Sequence, residues 1–190
     1  GNPWPVPRLS RHNLGVRVVE ALAESLGLEW RWSWSCLCWI TADDDSGVAF
    51  VWPAVPYNLS GPAIRLALQH LQKRPEDLTV VHDDIDLAPG ASACKEQGSA
   101  GGNRGVRSIL DSLGTDRIRR LRLGVGRPAG SRSPAAVGVY VLSRLEDDIL
   151  ERWCSEAATD SLCAMLELGS RVKAARGGMT NVSCATVSEE

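Results

Sequence analysis

LTVVHDDID, residues 78–86, is the stretch on which the fold turns. Leu78 to His82 is a short apolar run without strict alternation, and carboxylates begin at once with Asp83. Such a run suits a strand covered on both faces, as in a parallel sheet. In open α/β sheets, ligands bind beyond the carboxyl ends of the strands, so Asp83 stands where chemistry is expected.

Working outward, the pattern repeats strand and helix. Asn13 can cap a helix from about Leu14 to Leu26, with Val16, Val19, Leu22 and Leu26 at roughly helical spacing. Trp30 to Ile40 alternates and predicts one strand; ADDDSG (42–47) predicts a hairpin turn, and Val48–Trp52 a second strand ended by Pro53. A helix follows from about Pro62 to Gln72. Gly98–Gly105 is a glycine-rich loop leading into a helix over Val106–Leu113, and Leu121–Val125 is another strand. Helical spacing runs from Leu145 to about Ala175, and the polar tail from Gly177 to Glu190 predicts fraying. The expectation is a single α/β domain over 1–176, with a mixed, mostly parallel sheet and helices on both faces.

Composition narrows the function. The net charge is −2, yet nine basic residues between Lys95 and Arg132 face only Glu96, Asp111 and Asp116. A local basic stripe on an acidic chain suits a polyanion; it also suits an ordinary solvated face. Six cysteines include no CxxC pair, and Cys36-Leu-Cys38 has no second pair to complete a zinc site. They read as reduced, mostly buried intracellular thiols, and no metal is expected. No run of 18 apolar residues exists, so no membrane span is expected. No heptad or repeated apolar patch appears, which favours a monomer. The chain opens at Gly1, so a targeting segment would lie upstream of it.

Chemistry-bearing side chains are few. His12, in SRHNLG (10–15), is one of three histidines. It reads as a base, and equally as a solvent-facing residue before a helix. Asp83 reads as a site carboxylate or a turn carboxylate. Asn58 reads as a site amide or a helix cap. His82 should face away from Asp83, as strand alternation requires, and reads as structural.

Taken together, GNP (1–3), SRHN (10–13), YNLSG (57–61), VHDDIDLAPG (81–90), GSAGGNRGVRSI (98–109) and RLRLGVGRP (120–128) resemble bacterial-type peptidyl-tRNA hydrolases in order and spacing, over about residues 1–170. The resemblance implies hydrolysis of the ester joining a peptide to the 3′ end of tRNA, without metal or cofactor. It implies His12 as the base that activates water, and Asp83 as the carboxylate that orients the imidazole. It implies substrate contacts from Asn2, Tyr57, Asn58, Asn103 and Arg104, and a grip on the tRNA 5′-phosphate by Lys95 and Arg122. tRNA is the implied partner and the cytoplasm the implied compartment, with mitochondrion and plastid left open.

The chain departs from the family pattern in four places. The family has a central strand before the Asn of GNP, so the first central strand is expected to be missing. Asn103-Arg104-Gly105 stands for His-Asn-Gly, which is expected to put a guanidinium near His12. Trp4 stands for a glycine and Pro7 for an aromatic, and Pro56-Tyr57 stands for an apolar-Met pair; Tyr57 can still stack on the terminal adenine. Two alternatives to the enzyme stay open: a non-catalytic RNA-binding homologue resembling the organellar splicing relatives, and an inactive truncated product.

Overall fold

A computed structural model describes residues 2, 8–43, 47–130, 133–155 and 162. Among them run α1 (Leu14–Ser25), β1 (Arg31–Ser33), β2 (Cys38–Asp43), β3 (Val48–Pro53), α2 (Ser60–His70), β4 (Thr79–Asp84), β5 (Ser92–Lys95), α3 (Arg104–Leu113), β6 (Arg119–Gly124), α4 (Pro134–Leu142) and α5 (Asp147–Cys154). The mixed α/β class is as expected. The polar tail expected from Gly177 lies outside the described residues.

The expected single, mostly parallel sheet is instead two three-stranded sheets, ordered β1-β2-β3 and β4-β6-β5. Only β4 and β6 pair in parallel; β1–β2, β2–β3 and β5–β6 are antiparallel. Connection length explains this. Short links join β1, β2 and β3, and short links cannot reverse the chain into a parallel strand. Between β4 and β6 the chain inserts β5 and α3, a crossover long enough for parallel pairing. Among the described residues no ladder joins the two sheets, so β3 and β4 have one strand partner each.

The strand expected over Trp30–Ile40 is a hairpin. Trp34–Leu37 turn between β1 and β2, and Leu37 adopts φ +54°. Cys36 therefore lies in the turn and only Cys38 in a strand, although both thiols are fully buried. Burial, with Cys36 beside it, pushes the Cys38 thiol far above the ordinary range. The four described cysteines are free thiols; Cys94 is exposed. Cys163 and Cys184 lie outside the described residues.

Helices cover both faces of the β4–β6–β5 sheet. Leu121 and Leu123 join Leu14, Val18 and Leu22 of α1 and Trp153 of α5 in the largest core cluster. On the other face, Val80 packs with Ile64 and Leu68 of α2 and Ile109 of α3. Each fully buried Leu or Ile contributes about 1.5–3 kcal/mol by leaving water, so the two layers hold the sheet without a disulfide. No helix of the described residues is long and apolar enough to cross a membrane.

Candidate active site

The site begins with how closely α1 approaches β4. At Gly15 an added Cβ would lie 2.4 Å from the Val81 carbonyl oxygen. Only glycine allows that approach. It brings the 3₁₀ turn Arg11–Asn13, just before α1, over the end of β4. Asp83 lies opposite Leu123 in the parallel register, on the face that α1 covers.

His12 and Asp83, 71 residues apart, meet there. His12 Nδ1 lies 2.9 Å from Asp83 Oδ1 and 3.0 Å from Oδ2. Both side chains are almost buried, at 10% and 7% exposure. An acceptor-only carboxylate requires a donor, so Nδ1 carries the proton and donates it. The neutral imidazole then has its lone pair on Nε2. That atom is buried without a hydrogen-bond partner among the described residues. The His12 residue itself lines a cavity, together with Tyr57, Asp83, Asn103, Gly105 and Val106, among others.

Around this pair the amides are held by the backbone. The Asn2 N–H donates to Asn13 Oδ1 at 2.6 Å, and Asn13 Nδ2 donates back to the Asn2 carbonyl at 3.3 Å. The Tyr57 N–H donates to Asn2 Oδ1 at 3.0 Å. Asn2 Oδ1 is thereby engaged, and Asn2 is not among the residues lining the His12 cavity. Asn13 holds the N-cap position of α1 without a side-chain cap bond. Its buried side chain positions Asn2 instead, a role the sequence reading missed because a capping Asn looks the same.

Tyr57 packs edge-on against the His12 ring, with centroids 4.1 Å apart and planes at 82°. A Cβ at Gly105 would sit 3.0 Å from the Tyr57 ring, so glycine there lets α3 close on this loop. Asn103 caps α3, its Oδ1 accepting the Val106 N–H at 3.0 Å. Asn58 is exposed in the 3₁₀ turn Tyr57–Leu59, and no side chain caps α2, so the cap reading of Asn58 is not realised. Arg104 is exposed at the first position of α3 and is not among the residues lining the His12 cavity.

Comparison with known proteins fits this geometry. The family model described as peptidyl-tRNA hydrolase matches residues 1–185. The chain belongs to the peptidyl-tRNA hydrolase family. A peptidyl-tRNA hydrolase of Xanthomonas campestris pv. campestris (strain 8004) is 39% identical over 170 residues, covering 88% of this chain and 87% of its own. The Staphylococcus aureus (strain JH9) protein of that name is 37% identical over 142 residues, covering 74% and 73%. The crystal structure of peptidyl-tRNA hydrolase from Acinetobacter baumannii superposes with TM-score 0.77 at 26% identity, covering 93% of this chain and 89% of that one.

In this hydrolase-family chain the opposite face of β4 carries a second polar group. His82 turns away from the Asp83 side chain, as alternation required, and shares a face with Arg120 and Arg122. Its Nδ1 donates to the Asp83 carbonyl at 2.7 Å. Burial pushes its pKa below the ordinary imidazole value, against the pull of the Asp83 carbonyl and the nearby carboxylates. Arg122 Nε donates to Asp84 at 2.7 Å. Burial raises the Asp84 pKa, but Arg122 and the Asp86 N–H outweigh it and hold the carboxyl below its usual range. Lys95 faces Arg120 across the β5–β6 ladder, and Arg122 faces Ala93. Lys95 and Arg122 therefore lie diagonally on one sheet face, about 7–8 Å apart at Cα. Between them the buried Arg120 donates to the carbonyls of Ser99 (2.8 Å) and Gly98 (2.7 Å), fastening the glycine loop to the sheet. Among the described residues no group of three or more His, Cys, Asp or Glu side chains could hold a metal.

Proposed function

We propose that this chain hydrolyses the ester between peptide and tRNA with His12 as general base. The observation that carries the reading is the His12 ring itself. Asp83 binds Nδ1, Nε2 has no hydrogen-bond partner among the described residues, and the His12 residue lines a cavity. A water there gives its proton to Nε2 and attacks the ester carbonyl. Asp83 favours the imidazolium that forms. The Asn2 amide N–H donates to the developing oxyanion or orients the water. When the tetrahedral intermediate collapses, the imidazolium returns the proton to the ribose oxygen, which leaves as a hydroxyl. A general base in this role supplies about 10²–10⁴-fold.

Tyr57 and Asn103, which line the cavity, and the exposed Asn58 and Arg104 are the substrate contacts in this reading. Tyr57 holds the imidazole on one side and offers its remaining surface to the terminal adenine. Exposed Asn58 and Arg104 suit groups outside the cavity, such as the peptide backbone and tRNA phosphates. A monomer is the proposed state, since the sequence carries no heptad or repeated apolar patch. The substrate belongs where translation runs, so the cytoplasm is the compartment proposed, with mitochondrion and plastid as the alternatives.

Lys95 and Arg122 form the grip for the tRNA 5′-phosphate. Arg122 is already paired with Asp84, so the phosphate would share that guanidinium. Replacing both cations with methionine should raise KM for tRNA substrates and leave kcat near wild type. The slope of log affinity against log salt should fall by about one per cation lost. An unchanged salt slope in the double variant would remove the phosphate assignment.

The direct test is release of tRNA from N-acylated aminoacyl-tRNA by the purified chain. Turnover without added metal, in the presence of a chelator, is the expected result. Tight tRNA binding with no release would favour the non-catalytic RNA-binding reading.

A further inference from the structure

The turn that carries His12 is held from three sides. Successive residues of a 3₁₀ turn point about 120° apart. His12 reaches Asp83 and Asn13 reaches Asn2, while Arg11 extends to the segment between α4 and α5. Arg11 is 5% exposed. Its Nη1 donates to Ser143 Oγ at 2.5 Å and to the Arg144 carbonyl at 2.6 Å, and its Nη2 pairs with Glu146. The guanidinium carbon lies 4.3 Å from the centroid of the Tyr140 ring.

These contacts close a circuit. Tyr140 Oη donates to the Val125 carbonyl at 2.6 Å, and the Val125 N–H donates to the Asp84 carbonyl at 3.0 Å. Asp84 follows Asp83 on β4, and Asp83 returns to His12. The linker does not need Arg11 merely to stay in place. The Arg11 N–H already donates to the Ser143 carbonyl at 3.1 Å, and the Leu145 N–H to the Leu9 carbonyl at 2.8 Å. Burying a guanidinium is a costly way to add packing, and an apolar side chain would do that more cheaply. A planar fork stacked on a ring supplies directional rigidity instead.

We propose that Arg11 is a positioning residue for the hydrolytic step, fixing the turn so that His12 Nε2 keeps its aim into the cavity. The proposal rests on the reading of His12 as the base. α4 has no buried residue, and Val139 is 74% exposed. Tyr140 and Arg11 therefore make up much of the attachment between that helix and the His12 turn.

The experiment compares Arg11→Met, Arg11→Lys, Tyr140→Phe and Glu146→Gln with His12→Ala on peptidyl-tRNA, reading kcat and KM separately, the pH profile of kcat, and the thermal midpoint. A misplacement of about 1 Å costs about 10²-fold, so Arg11→Met is expected to lose about 10- to 100-fold in kcat. KM should stay within about twofold, and the acid limb of the kcat profile should move as His12 loses its fixed partner geometry. Arg11→Lys keeps the charge without the fork, and should recover only part of the loss. Tyr140→Phe and Glu146→Gln leave the backbone bonds intact and are expected to lower kcat several-fold; wild-type kcat in both overturns the proposal, whether or not Arg11→Met folds. A folded Arg11→Met with wild-type kcat and an unmoved acid limb overturns it as well, as does a loss confined to KM. An active His12→Ala would instead remove the base itself, and a failure of the Arg11 variants alone would leave His12 standing.

Discussion

His12→Ala is expected to lower turnover on peptidyl-tRNA by about 10²- to 10⁴-fold while tRNA affinity stays near wild type. The loss corresponds to about 3–5 kcal/mol of transition-state stabilisation. The imidazole contributes only when a proton moves, so its removal belongs in kcat and not in KM. Binding should survive because the proposed phosphate contacts, Lys95 on β5 and Arg122 on β6, lie on the other face of the sheet from Asp83. The variant should also stay folded. His12 precedes α1 and is not part of any of the three hydrophobic clusters. Single-turnover hydrolysis and equilibrium tRNA binding, measured on the same preparation, separate the two quantities. Wild-type single-turnover rates in His12→Ala would end the assignment of the base.

Asp83→Asn is the second large effect. The carboxylate can only accept, so it holds the tautomer with the proton on Nδ1. An asparagine can present its Nδ2 to the ring and accept that geometry with almost no change in shape. The ring proton then moves to Nε2, and the lone pair leaves the cavity. The expected loss is about 10²- to 10⁴-fold in kcat, by the logic that governs the orienting carboxylate of a triad. Asp83→Asn and His12→Ala should not add. A double variant about as impaired as the worse single one is the signature of two residues acting as a unit. Additive losses would mean that Asp83 works apart from His12.

Where the sequence could be read and where it could not follows from which forces act locally. α1 and the carboxylate at the end of β4 were legible, because helical spacing and a short apolar run are properties of neighbouring residues. The meeting of His12 with Asp83 came from resemblance, since no local pattern spans 71 positions. β5, Ser92–Lys95, went unseen because Ser, Ala, Cys and Lys have little preference for strands; pairing with β6 makes it one. α4, PAAVGVYVL, is apolar all round and shows no buried stripe, so the spacing that reveals helices is missing. The Trp30–Ile40 run alternates faithfully through Trp34, yet Leu37 takes a left-handed conformation that periodicity does not report. In the site, Asn13 and Arg11 flank the residue that drew attention; Asn13 had an ordinary reading as a cap, and Arg11 had none. Their partners, Asn2 and the Tyr140–Glu146 segment, are distant in sequence for Arg11 and hidden in a loop for Asn13.

The proposed catalysis depends on which nitrogen of His12 carries the proton. Nitrogen-15 NMR of histidine-labelled protein at neutral pH, with His12 assigned by its loss in His12→Ala, reads this directly. The prediction is a protonated Nδ1 and a bare Nε2 in the wild type, with the pattern reversed in Asp83→Asn. A wild-type ring that carries its proton on Nε2 would contradict the account, because no lone pair would then face the water.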